Sequence, residues 1–271
     1  MPIDVDAEVV ANTPLSADYN VLVLAAGTIA AAAAPGQFVM IKARPGHDPL
    51  LRRPFSVFER HTDGTRVTGL SILNKRAGIS TNLLYEARVG QRVSCLGPLG
   101  RPFSTVVPPT PAWLVAGGVG LAPFAGLAEQ LREQRVDVTL FYGARRANEL
   151  FYLDLFERLG VRLVLATEDG SRGETGRVVA PLERELALLA RPDAASPMIY
   201  ACGPEGMLAA TARVAARHLC RCEVSVERIM GCGLGGCYSC VVPLRGDDGR
   251  PHHVRSCLSG PVLDGSRIVW D

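Results

Sequence analysis

Short hydrophobic runs, separated by proline and glycine, dominate residues 1–104 of the chain. Strand-length runs with frequent turn residues are typical of a β-barrel or sandwich rather than of alternating strands and helices. One helix is predicted at 79–87, where Ser80 or Thr81 suits the N-cap. We therefore predict an antiparallel β-barrel domain over 1–104, with strands at 19–24, 37–41, 55–58, 67–73 and 91–95.

The pattern changes after a proline-rich linker at 107–111. Beyond the linker, apolar strand-length runs alternate with helical segments, which predicts a parallel sheet with helices on both faces. We therefore predict a doubly wound α/β domain over 105–222. Its strands are expected at 112–116, 136–142, 162–166 and 198–202, and its helices at 123–132, 149–159, 179–189 and 206–218.

The last segment, 223–271, contains two further strand-like runs, at 240–244 and 253–256, around a turn at 246–249. This pattern predicts a small hairpin-rich domain. A segment of this size is difficult to stabilise by a hydrophobic core alone, so we expect a bound metal centre to hold it together.

Composition narrows the class of protein. The chain has 271 residues, a net charge of +2 and no dense basic run, so we expect no nucleic-acid partner. The apolar run at 21–34 is shorter than a membrane span requires, and no signal-peptide pattern opens the chain. We expect a cytoplasmic protein with no membrane contact, in which the eight cysteines serve metal or redox chemistry rather than disulfides.

Four of these cysteines are spaced C-x4-C-x2-C with one distant cysteine: Cys232, Cys237, Cys240 and Cys257. This is the plant-type spacing of 2Fe–2S ligands. Zinc is the alternative, but structural zinc sites usually offer two paired ends. The four glycines at 231–236 favour iron–sulfur, because they let backbone N–H groups wrap an anionic cluster.

Two motifs of the barrel domain could bind a nucleotide. Residues 52–56 (RRPFS) combine cations, a rigid proline, an aromatic ring and a hydroxyl, which could hold a phosphate and a flat ring; the alternative is an edge strand beginning after proline. Residues 76–81 (RAGIST) place a glycine and hydroxyls at a helix start, where a phosphate is favoured; a capped helix alone needs the same residues.

Two motifs of the α/β domain lie at strand ends. The turn at 117–123 (GGVGLAP) joins the first strand to its helix, where doubly wound folds bind pyrophosphate, although glycines there could serve only a tight turn. Cys202, in the run CGP at 202–204, ends a later strand at the edge where ligands bind, although it could be an inert apolar residue.

In order along the chain, these motifs resemble the ferredoxin reductase superfamily. The resemblance implies an FAD-binding barrel in which Arg53 faces the pyrophosphate, Phe55 packs on the flavin and Ser56 lies near its ring. It also implies an NAD domain in which Gly118 and Gly120 approach the pyrophosphate and Cys202 stands beside the nicotinamide. The implied cofactor-binding residues are Arg53, Pro54, Phe55, Ser56, Ser71, Ile72, Leu73, Gly78, Ile79, Ser80, Gly117, Gly118, Gly120, Pro123, Cys202, Gly203 and Pro204, with Ser56 and Cys202 as the catalytic pair.

The loop at 167–173 (TEDGSRG) bears on the choice of dinucleotide. Its acidic residues would repel the 2′-phosphate of NADP, whereas Arg172 in the same loop, or Arg145 and Arg146 after the second strand, could attract it. NAD is our prediction, with NADP left open.

With its C-terminal cluster motif, the whole chain closely resembles the electron-transfer subunits of NAD-dependent (type B) dihydroorotate dehydrogenase. That resemblance implies electron flow from an FMN-containing catalytic partner through 2Fe–2S and FAD to NAD in pyrimidine biosynthesis, in a heterotetramer. The alternatives are the related subunit of a hydrogenase, sulfide dehydrogenase or bifurcating transhydrogenase, and a non-catalytic zinc-stapled binding module. Tyr238 and Ser239, between two ligands, are candidate partner contacts.

Overall fold

The computed structural model describes residues 1–189 and 195–270 and divides the chain into two compact units. The first unit contains Met1–Pro102, Arg228–Val241 and Arg255–Pro261. The second contains Phe103–Glu227, Val242–Val254 and the residues from Val262 onward. The C-terminal segment is thus shared between the units, and the sequence boundaries 1–104, 105–222 and 223–271 stay a prediction.

The first unit is built on a seven-stranded antiparallel sheet with the order β4-β3-β7-β1-β2-β6-β5. The main-chain N–H of Phe58 donates to the carbonyl of Ser71 at 2.9 Å, and Ser71 N–H donates to Glu59 O at 2.9 Å. These bonds join the segment after β4 to β6, and the predicted β-barrel is confirmed. Its strands are β1 Ile3–Pro14, β2 Tyr19–Leu24, β3 Phe38–Lys42, β4 Arg53–Ser56, β5 Arg60–Asp63, β6 Arg66–Lys75 and β7 Arg92–Leu99.

Two helices complete the barrel, α1 (Gly27–Ala32) and α2 (Ile79–Tyr85). The sequence predicted α2 and did not predict α1 or β1. In β1 buried Ala7 and Val9 alternate with exposed polar residues, so the strand covers the core on one face only. Side chains of α1, including Ile29 and Ala30, pack in the same core as those of β1.

The second unit contains the predicted parallel sheet, in the order β11-β10-β9-β8-β12-β13-β16, and only β16 runs antiparallel to its neighbour. The strands are β8 Ala112–Gly117, β9 Val138–Ala144, β10 Arg162–Thr167, β11 Glu174–Thr175, β12 Met198–Cys202, β13 Cys222–Ser225 and β16 Val262–Asp264. The helices are α3 Phe124–Glu133, α4 Leu153–Arg158, α5 Val179–Leu188 and α6 Glu205–Arg217.

Alternate residues of β8 explain why helices cover both faces of this sheet. Leu114 packs with side chains of α3 and α4, whereas Trp113 and Val115 pack with those of α5 and α6 on the other face. A strand that is apolar on both faces must be buried on both. The predicted doubly wound α/β fold is therefore confirmed. Helix α4 is shorter than predicted, because residues Ala147–Glu149 form a separate 3₁₀ turn and Tyr152 has a left-handed backbone with φ of 57°.

The predicted C-terminal hairpin is present as β14 (Val241–Arg245) paired with β15 (Pro251–Arg255). Val242, Leu244 and Val254 pack in the core of the second unit. The short helix α7 (Ser256–Ser259) follows β15 directly. Within the described parts of the chain, no helix is long and apolar enough to cross a membrane.

Candidate functional site: a flavin barrel, a dinucleotide edge and a four-cysteine loop

The RPFS motif forms strand β4, which is hydrogen-bonded to β3 with Ser56 opposite Phe38 and Arg53 opposite Ile41. The two arginines of the motif have different surroundings. Arg52 is bound to the carboxylate of Asp4 at 2.7 Å and to Ser94 Oγ at 2.7 Å. Arg53 is exposed, and its Nη1 makes a long 3.5 Å contact with the carbonyl oxygen of Arg52. The cation free to meet a phosphate is therefore Arg53.

Residues 78–81 form the start of helix α2 at the predicted place, but the N-cap is Gly78 rather than the predicted Ser80 or Thr81. Gly78 is extended and has open space where a Cβ would stand, while Ile79 is exposed and Ser80 is buried. The hydroxyl of Thr81 accepts hydrogen bonds from the N–H groups of Ala77 at 2.8 Å and Gly78 at 2.9 Å. Thr81 is thus the residue whose hydroxyl caps this turn.

The three remaining FAD candidates, Ser71, Ile72 and Leu73, lie in the middle of β6 and are buried. The Ser71 hydroxyl has no hydrogen-bond partner among the described residues, whereas its main-chain N–H and C=O bind the segment after β4. Ser71 therefore joins β6 to the segment that follows the RPFS strand. Arg53 makes no ion pair with any described residue, and this cation together with the open Gly78 beside a capped turn fits the diphosphate of FAD.

The glycines of the second unit bring two loops into direct contact at the carboxyl ends of β8 and β12. A Cβ on Gly120 would stand 2.1 Å from the carbonyl oxygen of Cys202, and a Cβ on Gly203 would stand 3.0 Å from the main-chain nitrogen of Gly117. Gly118 has φ of 55°, in the left-handed region. No side chain fits between these loops at Gly120 or Gly203, whereas Gly118 has open space where a Cβ would stand and is the glycine that a ligand can approach closely.

Prolines follow both loops. Pro123 is buried and immediately precedes helix α3, and Pro204 is exposed and immediately precedes α6. Since ligands of open α/β sheets bind outside the carboxyl ends of adjacent strands, this edge suits the pyrophosphate and nicotinamide of NAD.

The thiol of Cys202 is held in its neutral form. Cys202 is paired in register with Ser225 on the neighbouring parallel strand β13, and the serine hydroxyl hydrogen-bonds to it. Burial raises the pKa of this thiol to about 12, with a small further contribution from the charge of Glu227. A neutral thiol is suited to packing beside a ring and does not act as a base at neutral pH.

The four predicted cluster ligands all lie in the first unit and form two pairs. Cys232 and Cys237 are hydrogen-bonded through their thiols, and so are Cys240 and Cys257. The two loops are joined by a 2.9 Å bond from Ser256 N–H to Cys240 O. Across the described residues no three metal-binding side chains already form one group. Each iron of a 2Fe–2S cluster binds two protein ligands, so each cysteine pair can supply the ligands of one iron.

The loop also supplies hydrogen bonds to sulfur. The N–H of Leu234 donates to Cys232 Sγ at 3.3 Å, and the Ser239 hydroxyl lies 3.1 Å from Cys237 Sγ. Bonds from Ser239 and then Cys232 lower the pKa of the Cys237 thiol to about 6. Burial, followed by the neighbouring Cys240, raises the pKa of Cys257 to about 12. Four thiols with N–H and O–H donors around them fit an anionic cluster.

Packing attaches this loop to the barrel. Cys240 and Cys257 are buried in one apolar cluster with Phe38, Met40, Leu96, Leu99 and Met230. Gly233, with φ of 71°, lies so close that an added Cβ would stand 2.7 Å from Met40 Cγ. Met40 and Phe38 belong to β3, the strand that pairs with the RPFS strand β4. The cysteine pairs and the flavin motif are therefore supported by neighbouring strands.

Three family models match the chain. They are described as an oxidoreductase FAD-binding domain at residues 6–103, an oxidoreductase NAD-binding domain at 114–213, and the iron-sulfur cluster binding domain of dihydroorotate dehydrogenase B at 227–269. The predicted cofactors FAD, NAD and a 2Fe–2S cluster are confirmed, because the chain contains a matching domain for each of them. Fold and site together define an NAD-linked flavin and iron–sulfur oxidoreductase of the ferredoxin reductase type.

Relatives of known name refine this class. The dihydroorotate dehydrogenase B (NAD(+)) electron transfer subunit of Desulforamulus reducens is 34% identical over 266 residues, which cover 98% of this chain and 98% of the relative. The subunit of the same name from Bacillus caldolyticus is 37% identical, with 87% and 86% covered. The chain belongs to the family of dihydroorotate dehydrogenase B electron transfer subunits.

Solved structures agree with this fold. A structure of the NADH-dependent reduced ferredoxin-NADP oxidoreductase superposes with a TM-score of 0.83 and 27% identity, over 98% of this chain and 91% of that chain. A ferredoxin reductase of carbazole 1,9a-dioxygenase gives a TM-score of 0.67 and 25% identity, over 81% and 67%.

The sequence did not reveal the structural role of several residues that support these sites. Among them, Ser239 hydrogen-bonds Cys237 and the N–H of Gly231, although the sequence suggested it only as a partner contact. Three asparagines, Asn12, Asn20 and Asn74, hold helix α2. Asparagine is uncommon inside strands, so its presence in β1, β2 and β6 could have indicated that these side chains bind a neighbouring element.

Proposed function

We propose that this chain is the electron-transfer subunit that carries electrons from a dihydroorotate dehydrogenase catalytic subunit, through a 2Fe–2S cluster and FAD, to NAD⁺ in pyrimidine biosynthesis. One observation carries the proposal. The buried cysteines Cys240 and Cys257 pack against Phe38 and Met40 of β3, and β3 is hydrogen-bonded to the RPFS strand β4. Adjacent strands lie about 4.8 Å apart, so the two predicted redox sites are supported within one rigid sheet.

When bound, a 2Fe–2S cluster transfers single electrons, whereas a flavin exchanges single electrons or a hydride and thus connects such a donor to NAD. The residues proposed here bind and orient these groups. Cys232, Cys237, Cys240 and Cys257 hold the iron. Arg53 neutralises the diphosphate, and Ser56 lies beside the flavin ring in the first unit.

In the second unit, Gly118 has open space where a Cβ would stand and so leaves room for the dinucleotide pyrophosphate, while Gly120 lets its loop lie directly against Cys202. Cys202 packs beside the nicotinamide, and its high pKa keeps the thiol neutral throughout the working pH range. No proton has to be taken up or released by this thiol, because hydride transfer needs orientation of two rings rather than a base.

The proposed partner is the FMN-containing catalytic subunit, in a heterotetramer of two copies of each chain. Several apolar side chains near the cysteines are exposed to solvent: Ile229 at 83%, Tyr238 at 62%, Leu234 and Leu258. A partner that covers them would bury apolar surface and lie close to the cluster ligands. The hydroxyl of Ser239 is already bonded within the loop, so Tyr238 is the better contact candidate of the two.

The related hydrogenase, sulfide dehydrogenase and transhydrogenase subunits, and a zinc-stapled module, are not favoured. The named relatives reach 37% identity with the dihydroorotate dehydrogenase subunit, against 27% for the bifurcating oxidoreductase structure.

Co-expression with the catalytic subunit tests the proposal. The purified complex should contain FAD and two irons per copy of this chain, and dihydroorotate should drive formation of NADH. The variant C257S should lose the iron signal, keep FAD and lose dihydroorotate-dependent NADH formation while still reducing a dye with NADH. A colourless complex, or zinc at stoichiometric amount, would refute the assignment.

A further inference from the structure

The guanidinium of Arg255 is held against the cysteine loop by two contacts. It stands 4.6 Å from the ring centroid of Tyr238, and its Nη1 donates a 2.7 Å hydrogen bond to the carbonyl oxygen of Gly235. Gly235 and Tyr238 lie on either side of Cys237 in the sequence, and Arg255 itself is two residues before Cys257. The two contacts therefore bracket Cys237, one of the predicted iron ligands.

At both contact points the backbone adopts a left-handed conformation, which surrounding contacts have to stabilise. Gly235 has φ of 83° and Tyr238 has φ of 57°, so both lie in the left-handed region. An aromatic residue adopts this conformation rarely, and it persists where surrounding contacts fix it. The exposed ring of Tyr238 has the guanidinium of Arg255 stacked on it, and a cation over an aromatic face is an attractive contact.

The charge of Arg255 is not neutralised nearby. The side chain is half-buried, and over residues 1–189 and 195–270 no carboxylate lies within ion-pair distance of it. Screening by salt is weaker for a half-buried charge than for an exposed one. A full positive charge thus acts on the loop that carries Cys237.

We propose that Arg255 is a positioning residue of the cluster site, which fixes the loop from Gly235 to Tyr238 and raises the reduction potential of the cluster. The inference rests on the proposed function, because it assumes that the four cysteines hold 2Fe–2S. Uptake of one electron adds one negative charge, and a nearby cation favours the more negative state. Net charge and hydrogen bonding around a cluster are among the determinants of its potential.

The test is a redox titration of the full-length holoprotein, followed by electron paramagnetic resonance. For Arg255→Gln, the ratio of reduced to oxidised cluster at a fixed potential is expected to fall about tenfold, which is a downward shift of about 59 mV for a one-electron couple. Arg255→Lys keeps the charge without the planar fork and should recover most of the lost potential. Arg250→Gln removes the same charge next to the opposite end of β15 and should leave the potential unchanged.

Iron content and the cluster signal of the wild-type protein test the proposed function separately. If the wild type holds the cluster and Arg255→Gln holds it fully at the wild-type potential, the inference is overturned while the proposed function stands. A lysine variant that falls as far as the glutamine variant would overturn the role of charge. Should Arg255→Gln lose its iron, Tyr238→Leu decides, since a lowered potential supports the inference and a wild-type potential overturns it.

Discussion

Three asparagines on neighbouring strands hold helix α2 against the barrel. Asn74 Nδ2 donates to Asn20 Oδ1 at 2.8 Å and to the carbonyl of Thr81 at 3.0 Å. Asn20 Nδ2 donates to Asn12 Oδ1 at 2.7 Å, and Asn12 donates two further bonds to carbonyls at the C-terminal end of the helix. Because α2 begins directly after Gly78, the predicted FAD contact depends on this docking.

The substitution Asn74→Leu preserves volume and removes both donated bonds. A buried polar group that loses its partner costs about 1–3 kcal/mol, so the oxygens of Asn20 and Thr81 together cost about 2–6 kcal/mol. Asn74 Oδ1 has no partner among the described residues, and its removal offsets about 1–3 kcal/mol of that cost. We expect a net loss of about 2 kcal/mol in the free energy of unfolding. If the docking of α2 weakens equally, FAD affinity falls about 10- to 30-fold.

Two measurements check this prediction. Urea unfolding of the FAD-free protein gives the change in unfolding free energy, and titration followed by flavin fluorescence gives the Kd for FAD. The matched control is Thr68→Val, on the same strand β6, which removes one exposed 3.2 Å bond to His61 O. Surface changes of this kind usually alter stability by less than about 0.5 kcal/mol and should leave FAD binding unaltered.

Unchanged unfolding and unchanged FAD affinity in Asn74→Leu would refute the reasoning as a whole. A loss of stability with an unaltered Kd would show that the position of α2 does not govern FAD binding. Weakened FAD binding by the control as well would mean that β6 tolerates no change.

Three further predictions concern the other sites. Arg53→Ala should weaken FAD binding about 10- to 150-fold with little effect on unfolding, since a charge-assisted bond contributes about 1.5–3 kcal/mol. Arg52→Ala should leave FAD binding unchanged, and equal effects of the two variants in fluorescence titration would contradict the distinction. Gly233 has a positive φ, and Gly233→Ala would put a Cβ 2.7 Å from the Met40 side chain of the barrel, so this variant should bind less iron per chain. Gly236→Ala meets open space and should bind as much iron as the wild type. Iron analysis of the two purified variants makes the comparison. Burial raises the pKa of the Cys202 thiol to about 12, so the thiol is protonated below that pH. Its alkylation rate, measured by peptide mass spectrometry, should therefore rise about tenfold per pH unit from pH 7 to 10. A plateau of the rate in that range would disprove the raised pKa.

Local pattern was enough to predict most elements. Strand β12, Met198–Cys202, has the predicted bounds, and α2 and α5 lie within a residue or two of theirs, because alternation and helical periodicity are properties of neighbouring residues. The strand β13 was not predicted, although Cys222–Ser225 is buried between β12 and β16. Its four residues are too few for a period to be recognised, and its strand form depends on pairing with both neighbours.

The sequence by itself determined the class of this protein, because binding these cofactors requires particular residue types at short spacings along the chain. The sequence shows them directly as the RPFS run, the glycine turns and the four cysteines Cys232, Cys237, Cys240 and Cys257. Only the tertiary structure decided how these parts are supported. It grouped the cysteine loop with the barrel strands rather than with the hairpin, and left Arg53 exposed while Arg52 binds Asp4. It also brought Arg255 to the loop of Cys237. Each of these outcomes depends on packing between residues far apart in the chain, and no short stretch of sequence specifies such contacts.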